Sequence, residues 1–389
     1  MSLKLAKRTS QISPSMTIAV DSKAKQMKKE GKDIIIFGAG EPDFPTPQNI
    51  KEAAIKGINN NFTRYTPTGG IPELKKAVAD KFKRENRIDY DLSEVTISCG
   101  GKHTLFNAIM SVVGKGDEVI LPSPYWVSYY DMIKIAEGTP VICNTGKNFK
   151  LSSADVRKKI TGKTKLIILN SPSNPTGAVI DEKELKKIAE IAVGKNILMI
   201  SDEVYEHFIY GGGKNKSAAS LNDETKNLTI TVNSLSKTYS MTGWRIGFCG
   251  ANKEIIKSME SIQSQSTGNP TSIAQIAAVE ALSGQQESVK EMVTAFEKRR
   301  NIMVKRLNEM GGVECIKPEG AFYCFPDISK TKMSSAVFSS KLLEESLVAL
   351  VPGIAFGSDK HVRLSYAASV EDINKGMDRM EKWLKSAKH

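Results

Sequence analysis

The chain has 389 residues, of which 40% are hydrophobic and 25% are charged, so it is long enough for two domains and has the composition of an ordinary globular protein. It contains no apolar run of membrane length, which excludes a spanning helix. The basic N-terminus lacks the apolar stretch of a secretory signal, so we expect none, and a transit peptide is the disfavoured alternative because residues 13–17 are expected to belong to the site. The formal net charge of +12 comes from lysines spread over predicted helices, which indicates a solvated surface rather than a nucleic-acid-binding face.

Cysteine and histidine usage predicts a reducing compartment and no metal site. The five cysteines form no Cys-x-x-Cys pair, and the four histidines lack the spacing of metal ligands. We therefore expect a cytoplasmic protein without a metal.

Short β-rich runs alternate with amphipathic helical stretches along most of the chain. Strands are predicted at 94–98, 117–121, 165–170, 197–202, 228–233 and 245–250. This alternation predicts an α/β fold with a mostly parallel central sheet flanked by helices. After about residue 285, long charged helices flank short strands near 321–326 and 361–365. We expect a large domain over 45–285 and a smaller α/β domain formed by 1–44 and 286–389.

The first candidate site residues follow the strand at 94–98. Gly100 and Gly101 lie in a turn that opens a helix, and such a turn lets backbone N–H groups approach a phosphate. An ordinary turn also needs glycine, so this pair is a weak signal by itself. Trp126 follows the next strand and can lie flat against a planar ligand, although an aromatic residue there is more often part of the core.

Two further strands end in polar residues. Asn174 precedes a proline, which restrains its backbone and orients its amide, although a rigid turn explains much of the same segment. Asp202 ends an apolar strand, where a buried carboxylate needs a cation; capping of the next helix is the alternative. Tyr205 follows three residues later.

The segment 234–247, SLSKTYSMTGWRIG, is the most specific motif of the chain. The Lys237 amine can form a Schiff base with the aldehyde of pyridoxal phosphate, while Ser234, Ser236 and Arg245 can hold the phosphate. A solvated loop lysine is the alternative for Lys237 alone. The Gly-Trp-Arg-x-Gly extension favours the cofactor site.

The same cofactor accounts for the other polar residues. Its pyridinium nitrogen is a cation that can pair with Asp202, and its phenolic oxygen can accept hydrogen bonds from Tyr205 and Asn174. Arg363 lies in a short alternating strand, on the face opposite its apolar neighbours. Its guanidinium fork suits a substrate α-carboxylate, with a surface arginine as the alternative.

With these motifs in this order, the chain resembles the class I pyridoxal-phosphate-dependent aminotransferases of fold type I. Within that family it is most similar to the bacterial-type aspartate aminotransferase subgroup, which is marked by Gly-Glu-Pro-Asp-Phe, here residues 40–44. The resemblance runs from about Ser13 to the C-terminus and implies Lys237, Asp202 and Tyr205 as catalytic residues. The implied cofactor-binding residues are these three with Gly100, Gly101, Lys102, Trp126, Asn174, Ser234, Ser236, Arg245 and Tyr65. The implied ligands of the substrate α-carboxylate are Gly40, Trp126, Asn174 and Arg363.

The resemblance also implies how subunits and substrates combine. Tyr65 would reach the cofactor phosphate of the neighbouring subunit, so a homodimer with shared active sites is expected. The amino acid would leave as a keto acid before a second keto acid enters, which predicts ping-pong kinetics with Lys237 as the base at Cα.

Lys102 and Thr17 stand where the resembled subgroup holds the distal carboxylate of a dicarboxylic substrate. We therefore expect transfer from L-aspartate to 2-oxoglutarate, which forms oxaloacetate and L-glutamate. An apolar pocket in place of Lys102 would favour an aromatic or alanine-type aminotransferase, and prephenate stays open as a substrate.

Two remoter alternatives use the same fold. Another pyridoxal-phosphate reaction, such as a β-elimination, would share the lysine and the ring contacts. A regulator with an aminotransferase-like domain would need an added DNA-binding region, and only about a dozen residues precede the first site segment, too few for a helix-turn-helix.

Overall fold

The computed structural model describes residues 3–6, 9, 12 and 16–386, except for the side chains of residues 17, 18 and 21. In chain order, the strands of this part are β1 (Ile35–Ile36), β2 (Val95–Ser98), β3 (Glu118–Ser123), β4 (Thr139–Asn144), β5 (Thr164–Asn170), β6 (Leu198–Asp202), β7 (Thr229–Ser234), β8 (Gly247–Gly250), β9 (Tyr323–Cys324), β10 (Val348–Ala349), β11 (Val351–Pro352) and β12 (Val362–Ser365).

The helices surround these strands and include two long ones near the C-terminus. In chain order they are α1 (Met16–Lys29), α2 (Gln48–Asn59), α3 (Pro72–Lys81), α4 (Gly101–Val112), α5 (Val127–Ile135), α6 (Ser153–Lys159), α7 (Glu182–Lys195), α8 (Asp223–Leu228), α9 (Leu235–Thr238), α10 (Lys253–Ser264), α11 (Ser272–Ser283), α12 (Glu287–Glu309), α13 (Ser335–Ser346) and α14 (Val370–Ser386). Within the described ranges, none of them has the length and apolar content needed to cross a bilayer.

The large sheet comprises β2 to β8 in the order β2-β8-β7-β6-β5-β3-β4. Every neighbouring pair is parallel except the two pairs that involve β8. The prediction of an α/β fold with a mostly parallel sheet is therefore confirmed. The edge strand β4 was missed, because several of its side chains are partly exposed and so lack the continuous apolar pattern of a central strand.

Alternating residues of the central strand β5 show where the core lies. Leu166 and Ile168 pack in a cluster with side chains of α4, α5 and α10, whereas Ile167 and Leu169 pack with side chains of α6 and α7. Both faces of the strand are covered, so its sequence is a continuous apolar run. Such a strand places its carboxyl end at one edge of the sheet, beside the ends of its parallel neighbours.

The two ends of the chain form smaller sheets beside the large one. Strand β1 pairs with β10, and β12 lies between β11 and β9. The backbone of Phe37 joins both sheets, since it donates to Ala349 and accepts from Ser365. Helices α12, α13 and α14 pack against these strands in one apolar cluster. The domain boundaries at residues 45 and 286 stay a prediction.

Candidate active site

A cavity of about 480 Å³ opens at the carboxyl ends of β5, β6 and β7. It is closed on the other side by the segment 38–41 and by residues of β9 and β12. Most of the candidate residues line it: Gly40, Gly101, Lys102, Trp126, Asn174, Asp202, Tyr205, Ser234, Ser236, Lys237, Arg245 and Arg363.

Lys237 lies in the one-turn helix α9, directly after β7. The side chain of Ser234 begins this helix by accepting a hydrogen bond from the Ser236 amide at 3.1 Å. The Lys237 Nζ donates to the Gly40 carbonyl oxygen. Burial is the main reason that the pKa of Lys237 is lowered to about 8, with a further contribution from the Arg363 cation. About a tenth of these amines are therefore neutral at pH 7 and able to act as nucleophile or base.

Asp202 presents a buried carboxylate to the cavity, with 4% of the residue exposed. The Tyr129 hydroxyl donates to Oδ2, and the Val204 amide lies 3.3 Å from Oδ1. Burial raises the pKa of Asp202 to about 6. In the described chain no lysine, arginine or histidine lies within ion-pair distance of it. A ligand cation is the partner that this carboxylate can still take.

Arg363 carries the opposite charge to Asp202 and is also buried, with 3% of the residue exposed. Its Nη1 donates to Asn174 Oδ1 at 3.0 Å, and its Nη2 donates to the Gly38 carbonyl at 2.9 Å. The guanidinium carbon lies 4.4 Å from the centre of the Tyr323 ring. Among the described residues, Arg363 Nε has no hydrogen-bond partner. These features fit an anion that enters from the cavity, such as a carboxylate.

A close approach of glycines builds the phosphate-sized end of the cavity. Gly100 has φ +91°, and a Cβ there would meet Arg245 Nη2 at 2.3 Å. A Cβ on Gly247 would meet the Gly101 nitrogen at 2.3 Å. The absence of these side chains brings the first turn of α4 next to Ser234 and Arg245. Backbone N–H groups, hydroxyls and one guanidinium therefore converge there, which suits a phosphate.

The mouth of the cavity carries Lys102 and Trp126. Lys102 Nζ lies 5.2 Å from the centre of the Trp126 ring. Partial burial and the nearby Arg245 lower the pKa of Lys102. Deeper in the cavity, the hydroxyls of Tyr205 and Tyr323 are 2.8 Å apart.

Two candidates from the sequence do not line the cavity. Gly100 acts through the shape of its turn rather than as a wall residue. Tyr65 lies outside the cavity and is 98% exposed. The Thr17 side chain falls outside the described part of the chain. The binding and catalytic roles of all the candidate residues stay predictions.

Sequence reasoning missed several wall residues, among them Tyr129, Asn170 and Tyr323. Asn170 ends β5 directly beside Asp202 in the sheet register, so the rule that ligands gather at strand ends could have found it. Tyr129 and Tyr323 approach the site through packing of α5 and β9. No local pattern marks either of them.

Comparisons with known proteins agree with this geometry. The family model "Aminotransferase class I and II" matches residues 32–380. The aspartate aminotransferase of Bacillus subtilis (strain 168) is 46% identical over 389 residues, which cover 98% of this chain and 99% of that protein. A probable aspartate/prephenate aminotransferase of Aquifex aeolicus is 49% identical over 387 residues, 98% of either chain. The structure of Thermus thermophilus aspartate aminotransferase with maleate superposes with a TM-score of 0.95 at 40% identity, covering 98% of this chain and 100% of that one.

Proposed function

The chain belongs to the class I and II aminotransferases and is a transaminase, and we propose that it transfers the amino group of L-aspartate to 2-oxoglutarate. The observation that carries the choice of substrates is the pair of cations on one cavity. Arg363 is buried without a counter-ion among the described residues, and Lys102 stands at the mouth. A dicarboxylic substrate would satisfy both.

Pyridoxal phosphate fits the rest of the cavity. The carboxylate of Asp202, whose pKa is raised by burial, would pair with the pyridinium nitrogen. The glycine turn with Ser234, Ser236 and Arg245 would hold the phosphate, while Tyr205 and Asn174 would contact the phenolic oxygen. When bound, the cofactor supplies an aldehyde for the amino group and an electron-withdrawing ring.

Lys237 would move the proton at the substrate Cα. Its lowered pKa, about 8, makes the neutral amine available near physiological pH, and its position on a one-turn helix points the amine into the cavity. Arg363 and Asn174 would hold the α-carboxylate so that the Cα–H bond faces Lys237. Positioning of this kind lowers the activation free energy of an enzymatic reaction by several kcal/mol.

The two substrates would use the same groups in turn. Nε is the one Arg363 nitrogen without a partner among the described residues, so one α-carboxylate would bind there at a time, and the keto-acid product would leave before the second keto acid binds. Ping-pong kinetics are the expected result.

Relatives of similar identity favour the acidic substrate and leave one alternative. The Thermus thermophilus structure contains maleate, which is a four-carbon dicarboxylate, and the Bacillus subtilis relative is an aspartate aminotransferase. The Aquifex aeolicus relative is described as a probable aspartate/prephenate aminotransferase. Prephenate as a second amino acceptor is therefore the alternative that we retain.

The exposed position of Tyr65 supports the proposal of a homodimer. A side chain that is 98% exposed and outside its own cavity is free to reach the site of a second copy. The described cysteines are all unpaired, which supports the further proposal of a cytoplasmic location.

The decisive experiment tests recognition of the distal carboxylate separately from recognition of the rest of the substrate. The cofactor-loaded protein is mixed with L-aspartate alone, and we expect its absorption band to bleach while one equivalent of oxaloacetate forms per site. Lys102→Met should lower kcat/KM for aspartate roughly tenfold to a hundredfold, because a hydrogen bond to a charged group is lost. It should leave kcat/KM for alanine nearly unchanged.

Lys115→Met is the matched control, since Lys115 is an exposed lysine outside the cavity. Equal losses with aspartate and alanine in Lys102→Met would disprove the role of Lys102. Bleaching by phenylalanine or alanine but not by aspartate would replace the acidic substrate. Failure of the parent protein to bind pyridoxal phosphate would refute the cofactor site.

A further inference from the structure

Beside the cavity, a partly buried group of ionisable and amide side chains surrounds Lys81. We call it the Lys81 cluster; it consists of Lys81, Glu85, Asn86, Glu206, His207 and Asn233. Only 2% of Lys81 is exposed, and burying an ammonium group is costly unless it is paired. Lys81 Nζ contacts Glu206 Oε1, donates to Asn86 Oδ1 at 2.6 Å and lies 3.6 Å from Glu85 Oε2.

The cluster joins three separate parts of the fold. Lys81 ends α3, and Glu85 and Asn86 belong to the π-helical turn Phe82–Asn86 that follows it. Glu206 lies in the loop after β6, four residues beyond Asp202, and Asn233 lies near the end of β7. The cluster therefore ties α3 to the strand ends that carry the catalytic candidates.

Two hydrogen-bonded connections lead from the cluster to the segment around Lys237. Asn233 Nδ2 donates to Glu206, while Asn233 Oδ1 accepts from the Ser234 amide at 2.7 Å. On the other side of Lys237, His207 Nδ1 lies 3.2 Å from Thr238 Oγ1. The two connections reach Ser234 and Thr238, the two ends of the segment 234–238.

Lys81 provides the charge at the centre of this group. The carboxylates of Glu85 and Glu206 and the His207 ring lie within 4.8 Å of one another, which is the spacing of a metal site. The Lys81 ammonium is already in contact with Glu206 and close to Glu85. Burial raises the pKa of Glu206, but Lys81 and His207 outweigh it and hold that pKa below its ordinary value. Glu206 is therefore ionised at neutral pH. Its carboxylate accepts hydrogen bonds from both Lys81 and the Asn233 amide.

We propose that the Lys81 cluster positions the segment 234–238, and thereby sets how tightly the chain binds pyridoxal phosphate. Glu206 and Asn233 are positioning residues in this scheme: Glu206 orients the Asn233 amide, and Asn233 fixes the Ser234 backbone from which the phosphate ligands and Lys237 project. The inference rests on the proposed function, because it concerns the cofactor of that same site.

The test is titration of the cofactor-free protein with pyridoxal phosphate, followed by absorbance, with the melting temperature measured in parallel. Glu206→Ala removes the acceptor of Asn233, and we expect the Kd for the cofactor to rise roughly tenfold, which corresponds to about 1.4 kcal/mol. Glu206→Gln keeps an acceptor for the Asn233 amide, so it should recover most of the affinity.

Tyr90→Phe is the matched structural control. The Tyr90 hydroxyl lies 3.0 Å from Thr231 Oγ1, a buried hydrogen bond to the same strand β7, and Tyr90 does not line the cavity. We expect this variant to lower the melting temperature while its Kd stays near that of the parent. A Kd in Glu206→Ala equal to that of the parent would overturn the proposal, and so would a rise in Kd in Tyr90→Phe as large as in Glu206→Ala.

A second variant covers a failure of Glu206→Ala to fold. His207→Ala removes a partly exposed ring and its contact with Thr238; a Kd raised about threefold would support the proposal, and an unchanged Kd would overturn it. If the parent protein itself binds no pyridoxal phosphate, the proposed function fails. If the parent binds the cofactor and the variants have the same Kd, only the role of the Lys81 cluster fails.

Discussion

Asp202 and Arg363 are buried ionisable residues of opposite sign that face one cavity, and neither has a counter-ion among the described residues. Burial disfavours the charged form of both, so it raises the pKa of Asp202 and lowers that of Arg363. A fold does not retain two such penalties for stability alone. Charges on a bound ligand would offset the free-energy cost of burying these two groups. We therefore interpret Asp202 and Arg363 as ligand-binding residues.

Substitution of Arg363 tests the carboxylate site. Arg363→Lys keeps the charge but loses the planar fork that contacts Asn174 and Gly38. We expect kcat/KM for aspartate to fall by about two to three orders of magnitude, since a hydrogen-bonded buried charge pair is weakened. Steady-state kinetics measures this, with Lys360→Arg, an exposed lysine just before β12, as the control. Unchanged kcat/KM in Arg363→Lys would exclude the carboxylate role.

The pKa of Asp202 predicts a pH-dependent stability of the cofactor-free protein. Because the folded state binds this proton more tightly than the unfolded chain, the free energy of unfolding decreases as pH rises from 3.8 to about 6. The loss amounts to about 3 kcal/mol for a shift of roughly two pH units. Asp202→Asn should therefore stabilise the cofactor-free protein at pH 8, and the gain should shrink progressively towards pH 5.

Denaturant unfolding at several pH values measures that gain. Bound cofactor should reverse its sign at pH 8, since the pyridinium cation then pairs with the carboxylate of the parent protein and not with the amide. A gain independent of pH would mean that Asp202 is not the titrating group.

At the scale of the element, the turn between β2 and α4 shows how backbone geometry builds a phosphate site. The turn needs glycine for two separate reasons, the positive φ of Gly100 and the space that the Arg245 guanidinium takes beside it. Helix α4 then starts at the strand edge where Ser234 and Arg245 already lie. The element therefore sets the distance between the phosphate ligands.

A comparison of Gly100→Ala with Gly116→Ala separates the effect of positive φ from the effect of the contact with Arg245. Both glycines have positive φ, at +91° and +94°, but a Cβ at Gly116 would have nothing within 4 Å. We expect each variant to lose about 1–2 kcal/mol of stability from backbone strain. Only Gly100→Ala should also displace Arg245 and weaken cofactor binding by at least tenfold. Equal cofactor affinity in the two variants would disprove the importance of the contact with Arg245.

At the scale of the molecule, the cavity belongs to no single sheet. The large sheet supplies Asp202 and the helix α9 that follows β7 supplies Lys237, whereas the segments near the two chain ends supply Gly40, Tyr323 and Arg363. A movement of those segments relative to the large sheet would change the distance between the α-carboxylate site and the proposed base. The same arrangement leaves Tyr65 exposed and outside its own cavity.

Subunit mixing tests whether Tyr65 serves a second copy. Lys237→Ala should be inactive, and Tyr65→Ala should lose at least tenfold in cofactor affinity through a lost phosphate contact. Each hybrid dimer would combine an intact Lys237 with the intact Tyr65 of the other subunit, so one of its two sites should regain the affinity and activity of the parent. Activity of the mixture no higher than that of Tyr65→Ala, or a monomer in light scattering, would contradict the shared site.

The fold class and the residues whose chemistry is local could be predicted from the sequence. Continuous apolar strands between amphipathic helices permit few arrangements other than a covered, mostly parallel sheet. Lys237, Asp202 and Arg363 each stand in a short motif or at a strand end, where residue type and position already indicate the chemistry.

The residues that complete the site could not be predicted, because they come together through long-range packing. Tyr129 reaches Asp202 across 73 positions of sequence, and Arg363 reaches Gly38 across 325. Lys81 looks like any surface lysine of an amphipathic helix, yet it is buried against Glu206, 125 residues away. Such contacts depend on how distant elements pack, and packing is a property of the whole chain that no local pattern of residues encodes.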